Sequence, residues 1–142
     1  MTATAAKIGY GSKFSVWDSS LGTPAFVDVA EVISITPPST SVDTVDATHM
    51  GSSSATREFI AGLIDPGETS FEMNYVPGSS SETLLLAVLA SRTPTQCKIT
   101  FPGSKTWTFT GIMTKLDTTA PLDGKMTSTA TFKLTTSVTH AG

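Results

Sequence analysis

Two-residue alternation dominates the chain. From Glu68 to Tyr75, the residues Phe71, Met73 and Tyr75 fall on one side and Ser70, Glu72 and Asn74 on the other, as a half-buried strand requires. Lys105 to Lys115 sets Trp107, Phe109, Gly111 and Met113 against Thr106, Thr108, Thr110 and Thr114. Met126 to Leu134 sets Met126, Ala130, Phe132 and Leu134 against Thr127, Thr129, Thr131 and Lys133. Shorter β-branched runs predict further strands at Phe14 to Trp17, Phe26 to Ile35, Ser41 to Ala47, Glu58 to Ile64 and Gln96 to Phe101. Thr36-Pro37-Pro38-Ser39, Asp65-Pro66-Gly67, Pro102-Gly103-Ser104 and Pro121-Leu122-Asp123-Gly124 punctuate them with turn chemistry, and Pro102-Gly103 reads as a tight hairpin.

One helix breaks this period. Ser79 is placed to cap it, Glu82 three residues on completes a capping box, and Leu85, Leu86, Val88 and Leu89 form a broad apolar stripe. Pro94 bars continuation beyond about Arg92. A helix of about three turns must lay its Leu stripe on a sheet. The predicted fold is therefore mainly β, two packed antiparallel sheets forming a sandwich or partly open barrel, with one flanking α-helix.

The stretch from Asp46 through Thr48, His49, Met50, Ser52, Ser53 and Ser54 to Arg57 fits neither period. It is small and polar, yet it joins two β-type segments, and loops this long in compact domains are uncommon unless functional. Residues 46–57 are expected to be a flexible interaction arm that gains order on a neighbour.

The chain has 142 residues, one domain's worth, so the expectation is a single domain over 1–142 with a flexible N-terminal segment 1–7. Apolar residues make up 39% and charged residues 15%, below the usual quarter, while about three in ten residues are Ser or Thr. Hydroxyls have replaced charge. The net charge of -3 supplies no basic footprint for clamping phosphates, which argues against a tight sequence-specific DNA binder. The N-terminus lacks an apolar core of signal-peptide length, no apolar run reaches the roughly 18 residues of a membrane span, and no membrane partner is expected.

The search for chemistry returns little. His49 lies in the arm and His140 is read as a tail residue, whereas a nucleophile-base pair needs a positioned histidine. Cys97 shares a strand face with Ile99 and Phe101 and reads as an inert core thiol. Asp43, Asp46 and His49 are spaced by three, which would align them on a helix but not on the strand predicted there, so no metal site is expected. No phosphate loop, cofactor site or catalytic residue is supported. Phe71, Tyr75, Trp107, Phe109 and Phe132 read as core, and Trp17 suits an edge, an interface or the core equally. Long Thr-rich strands with few blocking charges leave sheet edges open to other chains, which favours assembly.

The segment Arg57 to Tyr75, with its Gly-Leu stretch, Asp-Pro-Gly-Glu turn and Ser-Phe-Glu strand leading to the Leu-rich helix, resembles the major tail tube proteins of long-tailed bacteriophages, the lambda-like type. The hairpin from Cys97 to Gly111 is similar too, and the resemblance covers nearly the whole chain. It implies two packed sheets with a flanking helix, hexameric rings whose sheets join into an inner barrel, and stacking of those rings into a tube for DNA ejection. It further implies a virion protein made in the host bacterial cytoplasm, with tape-measure, terminator and baseplate proteins as partners, and DNA passing without specific binding. The family's long loop between early strands, which reaches onto neighbouring subunits, matches 46–57 here. The C-terminal immunoglobulin-like domain of some members is expected to be absent. Related tubes occur in contractile tails and the type VI needle, so a type VI-like subunit is an alternative. A monomeric β-sandwich binding module is another. In the tube reading the polar strand faces with Glu72, Asn74, Thr127, Thr129 and Thr131 either line the lumen or form a solvated exterior, and Lys133 speaks against a wholly acidic lining.

Overall fold

The computed structural model describes residues 9–19 and 22–141. The expected flexible segment 1–7 lies outside them. Ten strands and one helix follow in the order β1 (Lys13–Asp18), β2 (Ala25–Asp28), β3 (Val32–Thr36), β4 (Ser41–Asp46), β5 (Phe59–Asp65), β6 (Glu68–Asn74), α1 (Ser80–Ser91), β7 (Thr95–Thr100), β8 (Thr106–Thr119), β9 (Thr127–Leu134) and β10 (Thr139–Ala141). The main sheet runs β2-β1-β7-β8-β9-β6-β3 with β10 also on β8, and every pairing is antiparallel. β4 and β5 pair only with each other.

Strand β8 explains how one sheet makes two layers. Its first half, Thr106 to Gly111, pairs with β7, while Gly111 to Thr119 pairs with β9 across a bulge between Met113 and Lys115. Bulges bend and twist the strand that carries them. At the corner, a Cβ on Gly111 would lie 3.0 Å from the Lys133 carbonyl oxygen, so the close approach needs glycine. The sheet turns over here and lays β1 on β6 and β9. Phe14 of β1 sits 4.3 Å from Phe71 and 5.7 Å from Phe132, ring centre to ring centre, with Phe109 of β8 at 6.3 Å. Val16, Val29, Met73, Leu85, Val88, Cys97, Ile99, Met113, Ala130 and Leu134 complete this core. Burial pushes the pKa of the Cys97 thiol up to about 12.

The helix forms where its caps predict. Ser79 Oγ accepts from the Glu82 N–H at 3.2 Å, while the Glu82 carboxylate accepts from the Gly78 N–H at 2.6 Å, so the return bond of the capping box lands one residue earlier than expected. Arg92 closes the helix in the left-handed conformation, φ 54.

Three sequence expectations need correction. The strand expected at Phe26 to Ile35 is two strands, because β2 pairs with β1 in one layer and β3 with β6 in the other, and the chain must cross between them. Val29 turns into the core at the crossing, Glu31 takes φ 56, and the Ala30 N–H donates to Ser81 Oγ at 3.0 Å, tying the crossing to α1. His140 is not a tail residue: β10 pairs it opposite Trp107, and the two rings stand edge to face at 4.6 Å. Met126 precedes β9 and stays partly exposed, and Ser128 takes the inward position instead, its hydroxyl 3.0 Å from that of Thr118.

Candidate assembly surfaces

Strands β4 and β5 form a ribbon that stands apart from the sheet. Val42 opposes Ile64 and Val45 opposes Ile60, and between these pairs a bulge sets Gly62 and Leu63 of β5 against the single Asp43 of β4. Phe59 and Ile60 are neighbours in β5 and so point to opposite faces of the ribbon. All the large ones are exposed, Leu63 most of all at 83%. A two-stranded hairpin on its own is marginal in water, and among the described residues nothing covers the apolar side chains on its two faces. At its neck, Gly67 (φ +84) packs so tightly that a Cβ would meet the Ser39 carbonyl oxygen at 2.3 Å, and Lys133 Nζ lies 3.6 Å from the Asp65 carboxylate.

The expected arm is the tip of this ribbon. Asp46 is the last residue of β4, its carboxylate accepting from the Thr48 N–H at 2.9 Å and pairing with Arg57 at 3.1 Å. Hydrogen bonds from Thr48, side chain first and then backbone, together with Arg57, hold that carboxyl below the usual 3.8. His49 Nδ1 accepts from the Gly51 N–H at 3.0 Å and its Nε2 lies 3.3 Å from the Glu58 carboxylate, which also accepts from Ser52 Oγ at 2.7 Å. Ser53 and Ser54 belong to a single 3-10 turn, Ser54 at φ 57, and Met50 projects fully into solvent. The tip is thus tied by its own polar groups, while the stem carries the unpartnered apolar surface. Asp43, Asp46 and His49 build no metal site: among the described residues no group of three or more His, Cys, Asp or Glu converges.

The second surface is polar. Register places Glu72 opposite Thr129, Asn74 opposite Thr127 and Ser70 opposite Thr131 across β6 and β9. The same face continues onto β3 through Ser34 and Thr36, and onto β8, past its bulge, through Lys115, Asp117 and Thr119. All five residues singled out from the sequence, Glu72, Asn74, Thr127, Thr129 and Thr131, are brought together here and are half-buried among their neighbours. Lys115 Nζ is held 3.0 Å from Asp117, and Lys133 by Asp65 at the neck, so both lysines of this face sit beside carboxylates. Its two ends are open: no described strand pairs with the outer side of β3, nor with β8 beyond Gly111 on the side away from β9.

A family model for the lambda phage tail tube protein matches residues 9–141. The chain belongs to that family. Tail tube proteins of this family are structural, not a class of enzyme. Solved structures with the same fold include a chain from the tail of an empty gene transfer agent particle refined with C6 symmetry, 16% identical, TM-score 0.78, over 96% of this chain and 100% of that one. A chain of the sheath-tube complex of an extracellular contractile injection system in the extended state is 13% identical, TM-score 0.72, over 97% and 93%. The SPP1 tail tube protein is 6% identical, TM-score 0.68, over 95% and 78%. No curated protein matches this tail tube protein by sequence. No helix among its described residues is long and apolar enough to cross a membrane.

What sequence reasoning missed is the extent of the arm. Ser41 to Ala47 and Glu58 to Ile64 read as ordinary strands of the body, whereas they are the exposed stem. The signal was present: Phe59-Ile60 and Leu63-Ile64 put apolar residues on both sides of one strand, which a half-buried strand does not do.

Proposed function

We propose that this tail tube protein is the repeating subunit of a ring-stacked tube through which DNA passes, that the face carrying Glu72, Asn74, Thr127, Thr129 and Thr131 lines the bore, and that 46–57 with its stem bridges subunits. The observation that carries this reading is a hydroxyl-rich face that runs unbroken across β3, β6, β9 and β8 and ends at two open edges. Open edges pair with other chains unless blocked, and closing the sheet through copies removes them. Such a lining suits passage. Thr and Ser offer no charge to the phosphate backbone, and lysines already beside carboxylates release few counterions, so DNA slides instead of binding. Tape-measure, terminator and baseplate proteins are then its expected contacts at the bore and tube ends, and the virion tail its location, after synthesis in the host cytoplasm.

The test uses assembled protein. A Thr129→Cys variant in tubes is expected to react with a small maleimide but not with a maleimide on a particle wider than the bore, while Thr108→Cys, on the opposite layer's outer face, reacts with both. Labelling of Thr129→Cys by both reagents moves the bore elsewhere. A protein that forms neither rings nor tubes at any concentration, alone or with a tail-tip complex, ends the tube reading.

A further inference from the structure

The turn His49-Met50-Gly51-Ser52 at the ribbon tip is closed around one imidazole. The Ser52 N–H donates to the His49 carbonyl oxygen at 3.0 Å, and the His49 N–H donates to Ser52 Oγ at 3.0 Å. Within this turn His49 Nδ1 accepts from the Gly51 N–H at 3.0 Å, while Nε2 faces the Glu58 carboxylate at 3.3 Å. An accepting Nδ1 carries no proton, so these contacts assign the neutral ring with its proton on Nε2, directed at Glu58. A Cβ on Gly51 would stand 3.2 Å from both Nδ1 and Cε1, so the ring is packed on the turn it bonds.

We infer that His49 makes the ribbon tip a pH-responsive turn, which holds the backbone of Met50 and Gly51 in place while the ring is neutral and releases it when the ring is protonated. A proton taken up at Nδ1 converts the acceptor into a second donor. Two N–H groups then face each other, and the Gly51 amide must leave. Glu58 keeps the ring where it is. Its carboxylate attracts the imidazolium through Nε2 and is itself fixed by Ser52 Oγ at 2.7 Å, so the backbone moves in place of the side chain. The charged groups along 46–58 besides His49 are Asp46, Arg57 and Glu58. Asp46 and Arg57 pair with each other at 3.1 Å, and β4 and β5 pair only with each other, so Glu58 is the carboxylate that faces the ring. Met50 carries the consequence. It projects fully into solvent, and its direction is set by the backbone that the Gly51 bond holds. Imidazole is the side chain whose ordinary change of charge falls between about pH 5 and 8, which sets the range of the switch.

NMR spectra of the isotope-labelled protein from about pH 8 to about pH 5.5, where ordinary carboxylates stay ionised, test this. The expected result is an upfield shift of the Gly51 amide proton, as for a donor that loses its acceptor, with the same midpoint as the His49 ring and with the Met50 methyl moving alongside. His49→Asn keeps an acceptor near the place of Nδ1 and does not titrate, so its Gly51 amide should hold the bonded position throughout. His140→Gln, altered far from the tip on β10, should keep the Gly51 transition intact. A Gly51 amide that does not follow the His49 ring, that moves as far in His49→Asn, or that stops moving in His140→Gln overturns the switch.

Discussion

In the bent sheet, Phe14, Phe71 and Phe132 are at most 1% exposed; in the ribbon, Phe59, Ile60 and Ile64 are each 57% exposed. Both regions are antiparallel and rich in β-branched and aromatic residues, so local propensity does not separate them. What separates them is where their partners are. The sheet finds a second layer by turning over at Gly111 and the β8 bulge, so its apolar face is satisfied inside the chain. The ribbon leaves the body at a neck made by Ser39, Gly67 and the Lys133–Asp65 pair, and its apolar side chains stay exposed on both faces. On the proposed reading, side chains in the first region set the stability of the subunit, and those in the second set the stability of the assembly.

The sharpest test of that division compares two aromatic truncations. Phe132→Ala is expected to cost the isolated subunit about 3–5 kcal/mol in urea unfolding, as a buried ring lost from a packed core does. Phe59→Ala is expected to change the same measurement by no more than about 0.5 kcal/mol while raising the concentration needed for tubes. Equal losses in the subunit would erase the distinction. Next in size is the neck. Gly67→Ala places a Cβ against the Ser39 carbonyl oxygen at a positive φ, and a melt of the isolated subunit should show a loss of about 1–3 kcal/mol. Deleting Ser52 to Ser54 should leave the melt of the body nearly unchanged and weaken assembly, and unchanged assembly would confine the bridging role to the stem. The smallest effect is a pH dependence at the tip. Asp46 has a folded-state pKa below its ordinary 3.8, so its contribution is complete above that value and is lost as pH falls through the lower, folded one. Hydrogen exchange at the Thr48 amide should therefore gain protection-loss below pH 4 that Asp46→Asn lacks.

Much of the body was legible in the sequence. Alternation in Glu68–Asn74 and Thr127–Leu134 announced both the strands and their two faces, because one side of each is buried within the chain and the other is not. Ser79 and Glu82 announced the helix start because capping is local. The break at Val29 to Glu31 was not legible, since it depends on β2 and β3 joining opposite layers. Neither was β10, three residues, Thr139, His140 and Ala141, whose place is set by pairing with β8 around Trp107 far away in sequence. Of the assembly surfaces, the Gly/Ser-rich tip and the polar face showed themselves as composition and period. The two-sided apolar pattern of the stem was visible but did not separate an exposed ribbon from a strand buried in the body, because apolar residues on both sides of a strand suit either.

A cryo-EM reconstruction of tubes grown from the purified protein tests the central claim most directly. The account predicts Glu72, Asn74, Thr127, Thr129 and Thr131 facing the bore, with both faces of the β4–β5 ribbon buried between copies. A tube whose bore is lined by the outer face of β1 and β7, or whose ribbons stand free in solvent, would contradict it.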